Sequence, residues 1–202
     1  MTAALTAALT WHLARSSGWV AWLLLGCSVV WGALATGRLV AGRGMPRWLT
    51  ELHRHLALLT VLLLAVHLGS LLLDDWVRFT PVDVLVPGAS SWRTGPVALG
   101  VVAMWLVAVV QLSSVQLSSV QLSSLRVLRL PRRWWRALHL LSYPAWCLAA
   151  VHGVLAGTDA TTPLARAMIA AMTTAVSFVV LGRLLQLGRR GRRHAADAAT
   201  SG

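Results

Sequence analysis

The sequence is poor in charged residues and contains no lysine. Charged residues make up 12% of the 202 residues and hydrophobic residues make up 57%. A soluble domain typically carries about twice that charged fraction. The formal charge of +12 comes from arginines, which are grouped at the ends of apolar runs. Membrane topology explains this grouping better than nucleic-acid binding does. The composition therefore excludes an ordinary soluble domain and predicts an integral membrane protein with no nucleic-acid partner.

Cysteine is also scarce. Cys27 and Cys147 both lie inside apolar runs, and the sequence has no CxxC pair. A zinc site and a disulfide framework are therefore not indicated, and both thiols are expected to act as small apolar packing residues. Residues 2–13 lack the pattern of a cleaved secretory signal and are too short to cross a membrane. We expect the first full span to act as an uncleaved signal-anchor.

Several apolar runs reach the ~20 residues needed to cross a hydrocarbon core about 30 Å thick. The sequence therefore predicts an all-α, multi-pass transmembrane bundle of about five or six helices. We divide it into a short amino-terminal segment (1–17), a membrane domain (18–187) and a basic tail (188–202). The predicted spans are 18–40, 48–73, 96 to between 115 and 120, 134–156, and 163–187.

Arginines cluster on one side of the predicted bundle. They follow the first, third and fifth spans, whereas Asp74, Asp75, Asp83 and Asp159 fall on the other side. The positive-inside rule makes the arginine side cytoplasmic. The sequence therefore predicts a protein of the plasma membrane with its amino terminus outside and its carboxyl terminus in the cytoplasm.

Histidines are concentrated in the second and fourth predicted spans. Ionisable residues inside membrane spans are uncommon and usually mark function, because lipid offers no partner to the ring nitrogens. His53 and His67 are fourteen residues apart in the second span, and His139 and His152 are thirteen apart in the fourth. These spacings correspond to about 21 Å and about 19.5 Å along a helix.

Both of these spans run in the same direction, so the four histidines form two pairs at matched depths. His53 and His139 lie near the arginine side, and His67 and His152 lie near the other side. Two facing imidazoles at one depth can bind a haem iron from both sides. The pattern predicts haem b, either two groups or one, with these histidines as axial ligands.

Helical geometry leaves two questions open. Fourteen residues place His53 and His67 about 40° apart around an ideal helix, but thirteen place His139 and His152 about 140° apart. Pro144 lies between the latter two, and we expect it to change the helix locally. His55 is roughly 160° from His53, so only one of these two can face the fourth span. Depth and spacing favour His53, and His55 remains the alternative.

These residues resemble the transmembrane ferric reductase superfamily. It includes NADPH oxidases, ferric reductases and the haem-binding membrane subunit of the periplasmic methionine sulfoxide reductase system. Members carry two histidines on each of two helices at the same two spacings. The matching stretches cover about 46–187 and include a Trp-x-x-x-His-x-x-x-Tyr run typical of the family. They are HRHL (53–56), AVHL (65–68), WRALHLLSY (135–143) and VHG (151–153).

The resemblance implies two stacked, low-spin haems with two histidine ligands each. Six-coordinate iron has no open position, so the implied role is electron relay rather than oxygen binding. Arg54 and Arg136 are candidates to bind the propionates of the inner haem through charge-assisted hydrogen bonds. The alternative is that both are simply positive-inside arginines.

The sequence shows no G-x-G-x-x-G motif after a strand, and the basic tail is too short to bind flavin or nicotinamide. We therefore expect an oxidoreductase component that resembles the stand-alone members. Its donor would be a separate flavin reductase or a membrane quinol, and its acceptor an extracytoplasmic redox protein or a ferric chelate. A transporter or channel and a cofactor-free scaffold subunit are the alternatives. The former is disfavoured because no acidic residue lies at mid-depth and no half of the sequence is repeated.

Two further segments attract attention. Residues 74–95 contain Pro81 and Pro87, which favours a short extended or interfacial piece. This piece would dock a partner, cap an outer cofactor or simply connect two spans. The sequence VQLSS occurs three times in tandem over 110–124. Its five-residue period turns about 140° per repeat and presents no constant face. We expect it to extend the third helix into the cytoplasm, as a docking stalk for an electron donor or as a tolerated duplication.

Overall fold

The computed structural model describes residues 2–36, 47–118 and 131–200. Within these ranges all regular structure is helical, so the predicted all-α class is confirmed. The helices are α1 (Thr2–Thr36), α2 (Arg47–Leu72), α3 (Pro81–Leu85), α4 (Thr94–Ser118), α5 (Arg132–His139), α6 (Ser142–Ala156) and α7 (Pro163–Thr200).

Five stretches of the described chain are long and apolar enough to cross a membrane. Many of their apolar side chains lie on the outside of the bundle, as with Phe178 at 73% exposure and Leu184 at 60%. A surface of this kind suits contact with lipid tails. The multi-pass character that the sequence predicts is therefore confirmed. The stretches are Ala8–Ala35, Arg47–Leu72, Thr94–Ser114, Arg132–Ala156 and Pro163–Gln186.

The first helix begins earlier than the sequence predicts. α1 starts at Thr2, and its membrane-spanning stretch starts at Ala8 rather than at Gly18. The polar residues that interrupt the apolar run find partners within the fold. Arg15 forms an ion pair with Asp159, and the Ser17 hydroxyl donates a hydrogen bond to the Leu13 carbonyl at 2.5 Å. The helix continues because these groups are satisfied without leaving it.

The long helices pack in two neighbouring sets. α1 packs along α2 and also contacts α6 and α7, while α4 packs along α6. Trp22, Val29, Trp146 and Val176 form a buried cluster that joins α1, α6 and α7. In the described ranges, the backbones of α2 and α6 make little or no close contact. The two histidine-bearing helices are therefore held apart, each against a helix of its own.

The connector between α2 and α4 is ordered and contains one short helix. α3 begins with a capping box, in which Thr80 and Asp83 hydrogen-bond each other's backbone N–H groups. Val84 of α3 packs against Val97 and Val101 of α4. The expected extended piece is therefore a helical turn, because Pro81 occupies a first-turn position where its missing N–H costs nothing.

The cap of α3 also sets the charge state of Asp83. Hydrogen bonds from the Thr80 hydroxyl and backbone N–H lower the pKa of the Asp83 carboxyl below its usual value. A lowered pKa means that this stabilisation is present above the ordinary pKa of aspartate. It is lost only as the pH falls through the lowered value. The cap is therefore intact throughout the neutral range.

The fourth span is broken between α5 and α6. Leu141 donates to the Leu138 carbonyl at 3.0 Å, and Tyr143 donates to the Leu140 carbonyl at 3.2 Å. Both bonds span three residues rather than four, as in a 3₁₀ turn. Pro144 has no N–H to donate to the Leu140 carbonyl, which explains the position of the break. The sequence predicts that Pro144 changes the helix locally, and the structure shows this change as a tightened turn just before the proline.

The VQLSS repeat lies only partly within the described residues. Its first copy, at 110–114, completes the membrane-spanning stretch of α4, and α4 continues to Ser118. The third copy, at 120–124, lies outside the described residues. The prediction of a long cytoplasmic extension therefore remains a prediction.

Candidate functional site

The four histidines singled out in the spans come together in two pairs. His53 of α2 lies against His139 at the end of α5, with ring centroids 5.9 Å apart. His67 of α2 lies against His152 of α6, with ring centroids 6.4 Å apart. These are the partners expected from matched depths. Both pairs bridge the gap between α2 and the broken helix α5–α6.

The turn before Pro144 contributes to this alignment. A 3₁₀ residue advances the chain by about 120°, compared with about 100° for an α-helical residue. Each such residue reduces the mismatch between His139 and His152 by about 20° relative to a continuous α-helix. A locally overwound fourth span therefore helps both of its histidines to reach α2.

Three of the histidines are hydrogen-bonded at Nδ1. His67 bonds the Ala14 carbonyl at 2.6 Å, and His152 bonds the Pro96 carbonyl at 2.8 Å. His53 bonds the Ser28 hydroxyl at 3.1 Å. A carbonyl only accepts, so the Nδ1 atoms of His67 and His152 must carry the proton. Their Nε2 atoms then hold a free lone pair, the form in which neutral imidazole binds metals.

His139 differs from the other three. Its Nδ1 is buried and has no hydrogen-bond partner within the described structure. The indole of Trp135 lies beside the ring, with centroids 5.0 Å apart and planes 30° apart. Within the described residues, this histidine is therefore held by ring packing rather than by a polar partner.

The spacing of both pairs fits a haem iron. A metal–nitrogen bond of about 2.0 Å and about 1.1 Å from that nitrogen to the ring centre place two axial imidazole centroids about 6.2 Å apart. The observed 5.9 Å and 6.4 Å lie on either side of this value. Each pair offers two nitrogen ligands, the number that a haem leaves open, whereas a bare zinc ion usually takes four.

A cavity surrounds the pair formed by His67 and His152. It is open on one side, and its walls come from α1, α2, α4 and α6, from the connector between α2 and α4, and from α7. The walls are mostly apolar, with Trp22, Met104 and Ile169 among them. A mostly apolar cavity with a few convergent polar groups suits a flat, largely apolar ligand. His53 and His139 are not among its lining residues.

The alternative ligand His55 and the two candidate arginines lie elsewhere. His55 is exposed, and its Nδ1 bonds the Glu51 carbonyl of its own helix at 2.7 Å. Arg54 is exposed and lies 3.8 Å from the Glu51 carboxylate. Arg136 is exposed on α5. The structure thus places His53, rather than His55, beside His139, and it shows no contact of either arginine with a histidine pair in the described residues.

Sequence reasoning missed Arg183. This residue of α7 donates a hydrogen bond to the hydroxyl of Tyr143, four residues after His139, at 3.0 Å. Arg183 belongs to the apolar stretch Pro163–Gln186, so the rule that selected the histidines would also have selected it. Within the described residues, it reaches the turn that follows His139 through Tyr143.

No protein-family model, curated protein or solved structure shows significant similarity to this chain. Fold and site therefore define its class by themselves. It is an all-α, multi-pass membrane protein with two inward-facing histidine pairs.

Proposed function

We propose that this chain is a haem b-containing electron-transfer subunit of the cell membrane, an oxidoreductase component of the ferric reductase-like type. The observation that carries the proposal is the pairing of His53 with His139 and of His67 with His152 at the spacing of axial haem ligands. Nδ1 hydrogen bonds on three of these rings support it, because metal-binding histidines usually donate their other nitrogen to a fixed acceptor.

The residues of each pair have distinct tasks in this proposal. His67 and His152 would bind the iron through Nε2, and their Nδ1–H groups are held by carbonyls of α1 and α4. Trp22 and other apolar wall residues would limit the access of water to a haem bound there. Haem bound at the two pairs would supply reversible one-electron carriers at two depths of the membrane.

The charge distribution supports a direction for the transfer. We refer to the end with Arg47 and Arg132 as the arginine end, and to the end with Asp74 and Asp159 as the aspartate end. By the positive-inside rule, the arginine end is cytoplasmic. The proposed donor is therefore a quinol or a separate flavin reductase acting near His53 and His139. The proposed acceptor is an extracytoplasmic redox protein or a ferric chelate near the other pair.

The proposed orientation predicts which of two introduced cysteines reacts from outside the cell. Trp76 is 85% exposed at the aspartate end and Trp134 is 54% exposed at the arginine end. In a chain with Cys27→Ser and Cys147→Ser, Trp76→Cys should react with a membrane-impermeant maleimide in intact cells. Trp134→Cys should react only after the membrane is opened. The reverse pattern would contradict the proposed orientation.

The absorption spectrum of the purified protein tests the proposed function directly. We expect a Soret band, and on dithionite reduction the sharp α band of low-spin haem b, with two haems for each chain. A chain purified from haem-replete cells without any Soret band would contradict the proposal and favour a transporter or a cofactor-free scaffold. One haem per chain would contradict the two-site version.

A further inference from the structure

Three histidines are held by the same local arrangement on a neighbouring helix. In each case Nδ1 is hydrogen-bonded to a group on that helix (a carbonyl for His67 and His152, a hydroxyl for His53), and a glycine four residues later lies against the imidazole. Residues four apart share one face of a helix, so acceptor and glycine together form one seat for the ring. The sets are Ala14 and Gly18 for His67, Ser28 and Gly32 for His53, and Pro96 and Gly100 for His152.

The close approach of the rings leaves little room for a Cβ at these glycines, least of all at Gly100. A Cβ on Gly100 would lie 2.7 Å from Nδ1 of His152, and a Cβ on Gly18 would lie 3.0 Å from Nδ1 of His67. At Gly32 the nearest atom would be Cε1 of His53, at 3.3 Å. By contrast, a Cβ on Gly69 or Gly182 would meet nothing within 4 Å. A larger residue at Gly100 or Gly18 would therefore displace the imidazole ring or shift the helix.

The arrangement on α1 repeats with the spacing of the histidines on α2. Gly18 and Gly32 are fourteen residues apart, as are Ala14 and Ser28. Fourteen residues are close to four turns of 3.6 residues, so both seats lie on nearly the same face of α1. Since α1 and α2 run antiparallel, this repeat matches the fourteen-residue spacing of the α2 histidines.

We propose that α1 and α4 position the axial histidines through these acceptor–glycine seats, and that the weaker Nδ1 partners of His53 and His139 place the redox potential of that pair above that of His67/His152, with Ser28 lowering it in part. This inference rests on the proposed function. An Nδ1–H bonded to a good acceptor makes the imidazole a stronger electron donor to iron. His67 and His152 both bond carbonyls, whereas His53 bonds a hydroxyl and His139 has no partner among the described residues. The potential at His67/His152 is therefore the lower of the two.

The glycine seats are tested in the purified, full-length, haem-loaded protein. Gly100→Ala and Gly18→Ala should each change or abolish the low-spin electron paramagnetic resonance signal of one haem and reduce haem per chain to about half. Gly69→Ala and Gly182→Ala are matched controls and should keep both signals. Unchanged signals in both Gly100→Ala and Gly18→Ala would overturn the role of the glycine seats.

The acceptor is tested by a milder change that leaves the backbone packing intact. Ser28→Ala should raise one of the two midpoint potentials in a redox titration and leave the other unchanged. Ser113→Ala is the matched control, because this buried hydroxyl donates only to the Val110 carbonyl of its own helix. A Ser28→Ala titration that matches the wild type, or that shifts both potentials equally, would overturn the role of Ser28.

The outcomes separate this inference from the proposed function. A wild-type protein without haem would overturn the proposed function itself. A haem-loaded wild type whose glycine and Ser28 variants behave like their controls would overturn only the positioning role of α1 and α4. If Gly100→Ala and Gly18→Ala fail to accumulate in the membrane, Ser28→Ala and the less crowded Gly32→Ala still decide the question.

Discussion

Replacing His152 with alanine is expected to remove one of two haems and leave the other. An iron left with one axial imidazole loses half of its protein ligands, and His67 keeps only its bond to the Ala14 carbonyl. Haem per chain, measured as the pyridine haemochrome, should fall to about half. The α band of the remaining haem should stay sharp, because the His53/His139 pair is untouched.

His67→Ala and the double variant His67→Ala/His152→Ala are also expected to lose one haem per chain. The two histidines bind one iron, so the effects of the two substitutions do not add. His12→Ala is the matched control, since His12 is exposed on α1 and should not affect either haem. Full haem content in both single variants would contradict the assigned pairing. Complete loss of haem in a well-folded single variant would do so as well, because it would mean that the two sites are not separate.

His53→Ala is expected to remove the other haem, whereas His55→Ala should retain both. The two residues are neighbours on α2, but His53 lies 5.9 Å from His139 between ring centroids, and His55 bonds the Glu51 carbonyl of its own helix. The pair therefore provides a ligand variant and a control with nearly the same depth and chemistry. Haem content and the reduced spectrum are the measurements.

The opposite result would favour His55 as the axial ligand, the alternative that the sequence left open. If His55→Ala lost a haem and His53→Ala did not, α2 would have to be rotated relative to the described structure. His53→Ala and His139→Ala should also keep the low-spin electron paramagnetic resonance signal of the haem at His67/His152. Simultaneous loss of both signals, with normal amounts of protein in the membrane, would argue against two independent sites.

Much of this architecture can be read from local sequence patterns. Apolar runs gave the last four spans to within about two residues, because hydrophobic length is a local requirement of the bilayer. The first span was placed from residue 18 because residues 2–13 are too short to cross a membrane by themselves, whereas the apolar stretch of α1 begins at Ala8. Only the fold shows that Arg15 has an ion-pair partner in Asp159 and that Ser17 bonds its own helix.

The candidate site was less fully predictable. Depth along the chain paired His53 with His139 and His67 with His152, because depth follows from residue count alone. Arg54 and Arg136 were chosen for their closeness in sequence to the histidines, and both are exposed. Arg183 bonds the Tyr143 hydroxyl, four residues after His139, from a helix that is far away in sequence, so no local pattern connects the two.

The sequence by itself determined the membrane class, the five long apolar helices found in the described residues, and the spacing and count of the paired histidines. Each of these depends on composition and on spacing along single helices. The tertiary structure alone decided that His53 rather than His55 meets His139, how the turn before Pro144 aligns the fourth span, and which groups of α1 and α4 hold Nδ1. These features depend on the rotation and packing of helices that are distant in sequence, which the order of residues within any one helix does not specify.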